Sequence, residues 1–209
     1  MSIEKNKAQE VYRFSNSVYG SHRKIIDCVG KNKKVLDVGC NKGYLGGEFK
    51  KNGCYTVGIE PDPECARIAT QFCDKVIWAD VEGLEGLGYP ENYFDVMVFA
   101  DILEHLKAPQ ETLLRLKKYL NPKGFIIASL PNVARLDIRL KLLFGKFEYA
   151  ETGIMDKTHL RFFTIFTARK LFVDCGYQIL HIDYTGALMR FKIFPSCLAF
   201  QFIILARKT

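Results

Sequence analysis

The sequence predicts an α/β domain on a doubly wound, mostly parallel sheet of seven strands. Two observations carry this. Five short β-rich runs alternate with amphipathic stretches, and two more β-like runs close the chain, the rhythm of successive βαβ units. The first run leads straight into a glycine turn, Gly39-Cys40-Asn41-Lys42-Gly43, which lets backbone approach a ligand at the carboxyl end of the strands. At 209 residues the chain suits one domain and buries enough surface to fold without disulfide or metal staples. Its 48% hydrophobic and 25% charged residues exclude disordered, collagen-like and coiled-coil classes.

The strands are expected at 34–38, 55–59, 75–79, 94–99 and 124–128, then at 178–184 and 200–207. Helices fit at 43–52, 63–72, 103–107, 109–120 and 165–175, and another at 9–27. Pro63 and Pro109 suit first-turn positions, where a missing N–H costs nothing. Thr164 fits an N-cap and Gly176 the position just past a helix end. Residues 131–163 break the rhythm. Between Arg135 and Leu142 charged and apolar residues alternate as in a strand, yet the Leu/Arg/Lys richness and the Asp137–Lys141 spacing favour a helix. Phe144, Phe147, Tyr149, Phe162 and Phe163 follow, which suits a lid or substrate wall. The organisation expected is therefore an N-terminal helical cap (1–30), a ligand-binding core (31–130), a lid insertion (131–165) and a last helix with closing hairpin (166–209).

The glycine turn narrows the ligand. A dinucleotide fingerprint needs glycines at 39, 41 and 44, and Asn41 and Tyr44 stand at two of these. Asp37 precedes the turn, where it would repel a phosphate and attract a cationic or hydroxylated ligand. Glu60 and Asp80 end the second and third strands. As ionised acceptors they suit hydroxyl and amino donors.

Val35-Leu36-Asp37-Val38-Gly39-Cys40-Asn41-Lys42-Gly43 resembles the first motif of class I S-adenosylmethionine-dependent methyltransferases. Gly58-Ile59-Glu60-Pro61-Asp62, Trp78-Ala79-Asp80-Val81 and Phe94–Leu106 resemble the motifs that follow it. The resemblance implies a Rossmann-like sheet with an antiparallel last strand and S-adenosylmethionine as cofactor. It implies that Glu60 holds the ribose diol and Asp80 the adenine amino group. Asp37, Gly39, Cys40, Asn41, Gly43, Pro61, Val81, Ala100 and Asp101 complete the implied cofactor site. Asn41 departs from the family's middle glycine, and a small polar residue tolerates such a backbone.

Met155–Thr164 is similar to a stretch of small-molecule and polysaccharide (O-antigen-type) methyltransferases. It implies a saccharide or related hydroxyl acceptor. A hydroxyl acceptor benefits from a base. His159 is the first candidate, with Asp156 to orient it, and His105 the second. Arg161, Arg135 and Tyr149 are candidates for holding the acceptor. Tyr12, Tyr19 and Arg23 on the first helix are placed to cover the cofactor, whereas His22 and His181 carry no motif support. No metal-ligand cluster is visible in the sequence. RNA methylation, a catalytically silent adaptor and a nicotinamide-dependent oxidoreductase are the competing readings. The nucleic-acid signatures (a Pro-Pro-aromatic run after the fourth strand, a Pro-Cys nucleophile) are missing.

Seven scattered cysteines fit reduced thiols in a cytoplasmic protein. The start lacks an apolar leader, and Cys197–Ala206 is too short to span a bilayer, which leaves room for a peripheral membrane contact. The net charge of +7 is uneven: residues 1–130 carry 18 basic and 17 acidic side chains, residues 131–209 carry 12 and 6. That bias places an anionic acceptor against the later half.

Overall fold

A computed structural model describes residues 20–186 and 194–209. Seven strands form one sheet: β1 (Lys34–Val38), β2 (Tyr55–Glu60), β3 (Lys75–Trp78), β4 (Phe94–Ala100), β5 (Leu120–Pro131), β6 (Tyr177–Thr185) and β7 (Gln201–Lys208). Their order is β3-β2-β1-β4-β5-β7-β6. The first five pair in parallel. β7 slots between β5 and β6 and runs antiparallel to both. The order reverses between β1 and β4, which opens a crevice at their carboxyl ends.

Among the described residues seven α-helices flank the sheet: α1 (Ser21–Val29), α2 (Tyr44–Lys51), α3 (Pro63–Ala69), α4 (Pro109–Leu116), α5 (Leu136–Leu143), α6 (Ile165–Asp174) and the short α7 (Pro195–Leu198). Strand β4 shows why both faces need cover. Met97 and Phe99 point into one core with Leu113 and Phe172, while Val96 and Val98 point into the other with Ile25 and Phe49. This is the near-continuous apolar run of a strand buried on both sides. Helix starts follow their caps. Asp62 accepts from the N–H groups of Glu64 and Cys65, with Pro63 behind it, and Thr164 forms a capping box with Thr167.

The structure redraws several boundaries. The helix expected at 103–107 is a single 3-10 turn, Leu103–His105, because Asp101 turns left-handed before it (φ +54°). The helix expected to run to 120 ends at Leu116, passes through a 3-10 turn and gives Leu120 to β5, opposite Phe94. β5 is therefore longer than expected. The segment 136–143 is helical, as its composition suggested. Residues 1–19, with Tyr12 and Tyr19, lie outside the described residues; of the helix expected at 9–27, the described residues show α1 beginning at Ser21, after an extended Gly20, and running on to Val29. No helix among the described residues is long and apolar enough to cross a membrane.

Candidate active site

The turn after β1 is held by backbone and by one acid. The N–H groups of Gly39 and Cys40 both donate to the carbonyl of Ile59 (2.9 and 3.0 Å). Gly39, Asn41 and Gly43 have φ of +73°, +48° and +79°. At Gly39 a Cβ would also lie 2.7 Å from the Ile102 side chain, so both sterics and conformation require glycine there. Asn41 manages the left-handed conformation with its own side chain, whose Oδ1 accepts from Lys42 N at 2.7 Å. Glu60 crosses over from β2: Oε2 accepts from Asn41 N (2.9 Å) and Oε1 from Asp62 N (3.0 Å). Burial pushes the Glu60 carboxyl up, and these two N–H donors pull it back.

Above the turn lies a cavity of about 290 Å³. Asp37, Gly39, Cys40, Asn41, Glu60 and Pro61 line its floor, and Ala100, Asp101 and Ile102 line its β4 side. Asp37 is 1% exposed and neither of its carboxylate oxygens has a hydrogen-bond partner. Burial, and after it the nearby Glu60 charge, raises its pKa to about 7. A buried acceptor without a donor is costly, and a cationic donor arriving from the cavity would relieve that cost. Asp101 is held from two strands: Ser129 Oγ (2.8 Å) and Gln201 Nε2 (2.7 Å) donate to its Oδ1, and its own N–H donates to Ser129 Oγ.

At the mouth, the 3-10 turn meets the second half of the insertion. The Glu104 carbonyl accepts from the N–H groups of Leu160 and Arg161 (2.8 and 2.9 Å). This brings His105 and His159 together, their rings edge to face at 4.8 Å. His105 and Thr158 line the cavity, whereas His159 is buried and is not among the lining residues. His159 Nδ1 faces the Ile154 carbonyl at 3.0 Å, so Nδ1 carries a proton and donates it to that oxygen. His105 Nδ1 faces the carbonyl and hydroxyl oxygens of Thr158 at 3.2 Å, and that hydroxyl donates to Asp156 Oδ1 at 2.7 Å. Asp156 thus orients His105 through Thr158. Burial and the neighbouring His159 hold the His105 imidazole below its usual range. Glu104 is 1% exposed with Oε2 unpartnered, and burial, with Asp101 beside it, drives its carboxyl well up.

The sequence shows no ligand cluster, but the fold makes one. One ligand atom each from Glu104, His105 and His159 lie within 4.8 Å of one another. Two imidazoles and a carboxylate are a donor set for a divalent metal such as zinc. The spacing is hidden in sequence because His159 comes from the insertion, 54 positions after His105.

Other expected residues fall elsewhere. Asp80 is exposed, caps a 3-10 turn by accepting from Glu82 N, and with Val81 is outside the cavity lining. Arg161 donates to the Lys107 carbonyl. Arg135 pairs with Asp137 and lies over the Phe200 ring. Tyr149 is exposed in an aromatic group with Phe147 and Phe162. None of these three lines the cavity. Arg23 pairs with Asp27 on the exposed side of α1, and it is His22 that reaches the cavity. Its signal was legible: residues 22, 25, 26 and 29 share one helical face, and the last three are buried.

A sheet that reverses at β1/β4, a glycine turn tied to an acid ending β2, and an unpaired acid beneath the turn make up the arrangement that the resemblance to S-adenosylmethionine-dependent methyltransferases implies. The chain belongs to the methyltransferase-domain family, whose model matches residues 22–182. Over 103 residues it is 28% identical to the mitochondrial ubiquinone biosynthesis O-methyltransferase of Schizosaccharomyces pombe, covering 46% of this chain and 37% of that protein. Over 102 residues it is 32% identical to a tRNA U34 carboxymethyltransferase of Nautilia profundicola, covering 46% and 34%. The matched stretch is thus under half the length of these relatives. The fold is also that of Burkholderia thailandensis 1,6-didemethyltoxoflavin-N1-methyltransferase, solved with bound S-adenosylhomocysteine: TM-score 0.67, 17% identity, 99% of this chain and 86% of that one.

Proposed function

We propose that the protein transfers a methyl group from S-adenosylmethionine to a hydroxyl of a saccharide or related small, anionic metabolite. The observation that carries this reading is the pair of groups flanking one cavity: the unpartnered Asp37 carboxyl on its floor and the His105 imidazole at its mouth. When bound, the cofactor supplies an electrophilic methyl on a sulfonium. Asp37 meets its cationic end, and Glu60 uses its remaining lone pairs for the ribose hydroxyls. Asp101 stays fixed by Ser129 and Gln201, which shapes the β4 wall. His105 Nε2 takes the acceptor hydroxyl's proton as the oxygen attacks. Its Nδ1–H rests on Thr158, and Asp156 behind it favours the imidazolium that forms. The base role expected of His159 thus passes to His105, with His159 packed against it. Positioning two reactants in line supplies much of the rate.

The O-methyltransferase name of one relative supports oxygen as the acceptor atom. The positive charge of residues 131–209 supports an anionic acceptor. The test is methyl-labelled cofactor given to glycan, small-metabolite and total RNA fractions. Label in the glycan or metabolite fraction is expected, and label confined to RNA would overturn the reading.

A second reading has its own observation. The convergence of Glu104, His105 and His159, with Glu104 Oε2 unpartnered, fits a divalent cation that would hold the acceptor oxygen. Activity lost to a chelator and restored by zinc or magnesium would favour it, and activity indifferent to chelator would leave His105 as the base.

A further inference from the structure

Helix α5 turns its apolar side the wrong way for a globular protein. Leu136, Leu140, Leu143 and Phe144 recur at the spacing of one helical face, yet all four are exposed, Leu143 by 76% and Phe144 by 75%. The helix is anchored instead through the buried Ile138 on its other side. Beyond it the chain stays outside: residues 139–153 are all exposed, Phe147 and Tyr149 among them. Contiguous exposed apolar surface of this kind marks an interaction site.

Charge says which kind. Residues 135–149 hold Arg135, Arg139, Lys141 and Lys146 against Asp137 and Glu148, so the basic side chains outnumber the acidic ones four to two. Asp137 is already paired with Arg135. Two such faces brought together would set cation against cation, which disfavours a second copy of this chain. A protruding apolar stripe flanked by basic side chains is the form of a helix that lies in a lipid interface. We infer that α5 and the turn after it, residues 136–149, dock the protein on an anionic phospholipid surface. The same insertion carries His159 and Thr158 back to the cavity mouth, so docking there would place the crevice near the membrane. The inference stands on surface chemistry and does not depend on the methyl acceptor.

The test is co-sedimentation of the full chain with vesicles of phosphatidylcholine alone and of phosphatidylcholine with phosphatidylglycerol. Binding to the anionic vesicles is expected, weaker in high salt. The double substitution Leu143→Ser with Phe144→Ser should weaken it at least about tenfold, since both side chains lose their apolar burial. Lys141→Glu with Lys146→Glu should also weaken it while keeping the apolar stripe. Both variants should keep the wild-type affinity for S-adenosylhomocysteine, which certifies their fold. No binding of the wild type at low salt would overturn the inference, as would equal binding by all three proteins. A concentration-dependent dimer without lipid, abolished by the Leu143/Phe144 variant, would also overturn it and assign the face to a second copy.

Discussion

Asp37 makes the sharpest prediction. Its carboxylate is buried beneath the glycine turn without a donor, and its pKa rises to about 7. If it meets the cationic end of the cofactor, binding needs it ionised. Above pH 7 it already is. Below, each binding event must expel a proton, so affinity falls as pH falls. For a single group titrating near 7 the loss between pH 8 and pH 6 is about tenfold. Asp37→Asn removes the charge but keeps the shape. A hydrogen bond to a charged group is worth about 1.5–3 kcal/mol, so affinity at pH 8 should drop about 10- to 100-fold. The remaining pH dependence over that span should shrink to less than about threefold. Calorimetric titration of S-adenosylhomocysteine, which retains the amino group, reads both quantities. A wild-type affinity flat from pH 6 to 8, or an Asn variant that binds like wild type, would refute the reasoning. Stability gives a second reading of the same group. A carboxyl raised in the folded state keeps a proton that the unfolded chain has released between its ordinary value and about 7. Wild-type stability therefore loses ground to Asp37→Asn as pH rises through that window, by up to about 1.4 kcal/mol per unit. Thermal unfolding at pH 5 and pH 8 checks the sign.

Three further outcomes are expected. Glu60→Ala removes an acceptor and strands the Asn41 and Asp62 N–H groups, so cofactor affinity should fall by about 1.5–3 kcal/mol in calorimetry. Unchanged affinity would remove Glu60 from the site. Asn41→Ala should destabilise the turn by about 1 kcal/mol in denaturant unfolding, whereas Asn41→Gly, freer at positive φ, should cost less; the reverse order would contradict the role given to the Asn41 side chain. Thr158→Val breaks the link from Asp156 to His105. It should lower kcat and shift its acidic limb, with cofactor affinity unchanged, and a flat pH profile equal to wild type would rule the link out.

The sheet was legible because strand signals are local: apolar β-branched runs, and a glycine turn whose spacing is fixed by the backbone it must form. The crevice was legible for the same reason, since Asp37, Gly39, Glu60 and Asp101 all sit at strand ends. Less legible was whatever depends on how far an element runs. The 103–107 segment has helical composition, but the left-handed Asp101 and the demand of the Glu104 carbonyl for partners from the insertion leave it one turn. The acceptor end was hardest. Arg135, Tyr149 and Arg161 have the right chemistry and lie in the right segment, yet they spend it on Asp137, on neighbouring rings and on the Lys107 carbonyl. The order of the two histidines along the chain gave no sign that their rings would meet, or that His105 would be the one at the cavity. His22 belongs to no motif, and only its helical phase, shared with the buried Ile25, Ile26 and Val29, turns it toward the cavity.

In the proposed reaction a methyl group reaches an acceptor oxygen across the cavity between Asp37 and His105. Carbon-13 NMR of the reaction, started from cofactor labelled at its methyl carbon, follows that group directly. An O-methyl resonance should grow with the wild-type protein, and its growth should slow by about two to four orders of magnitude in His105→Gln. A methyl that arrives on nitrogen or on a nucleobase carbon, or one transferred equally fast by His105→Gln, would contradict it.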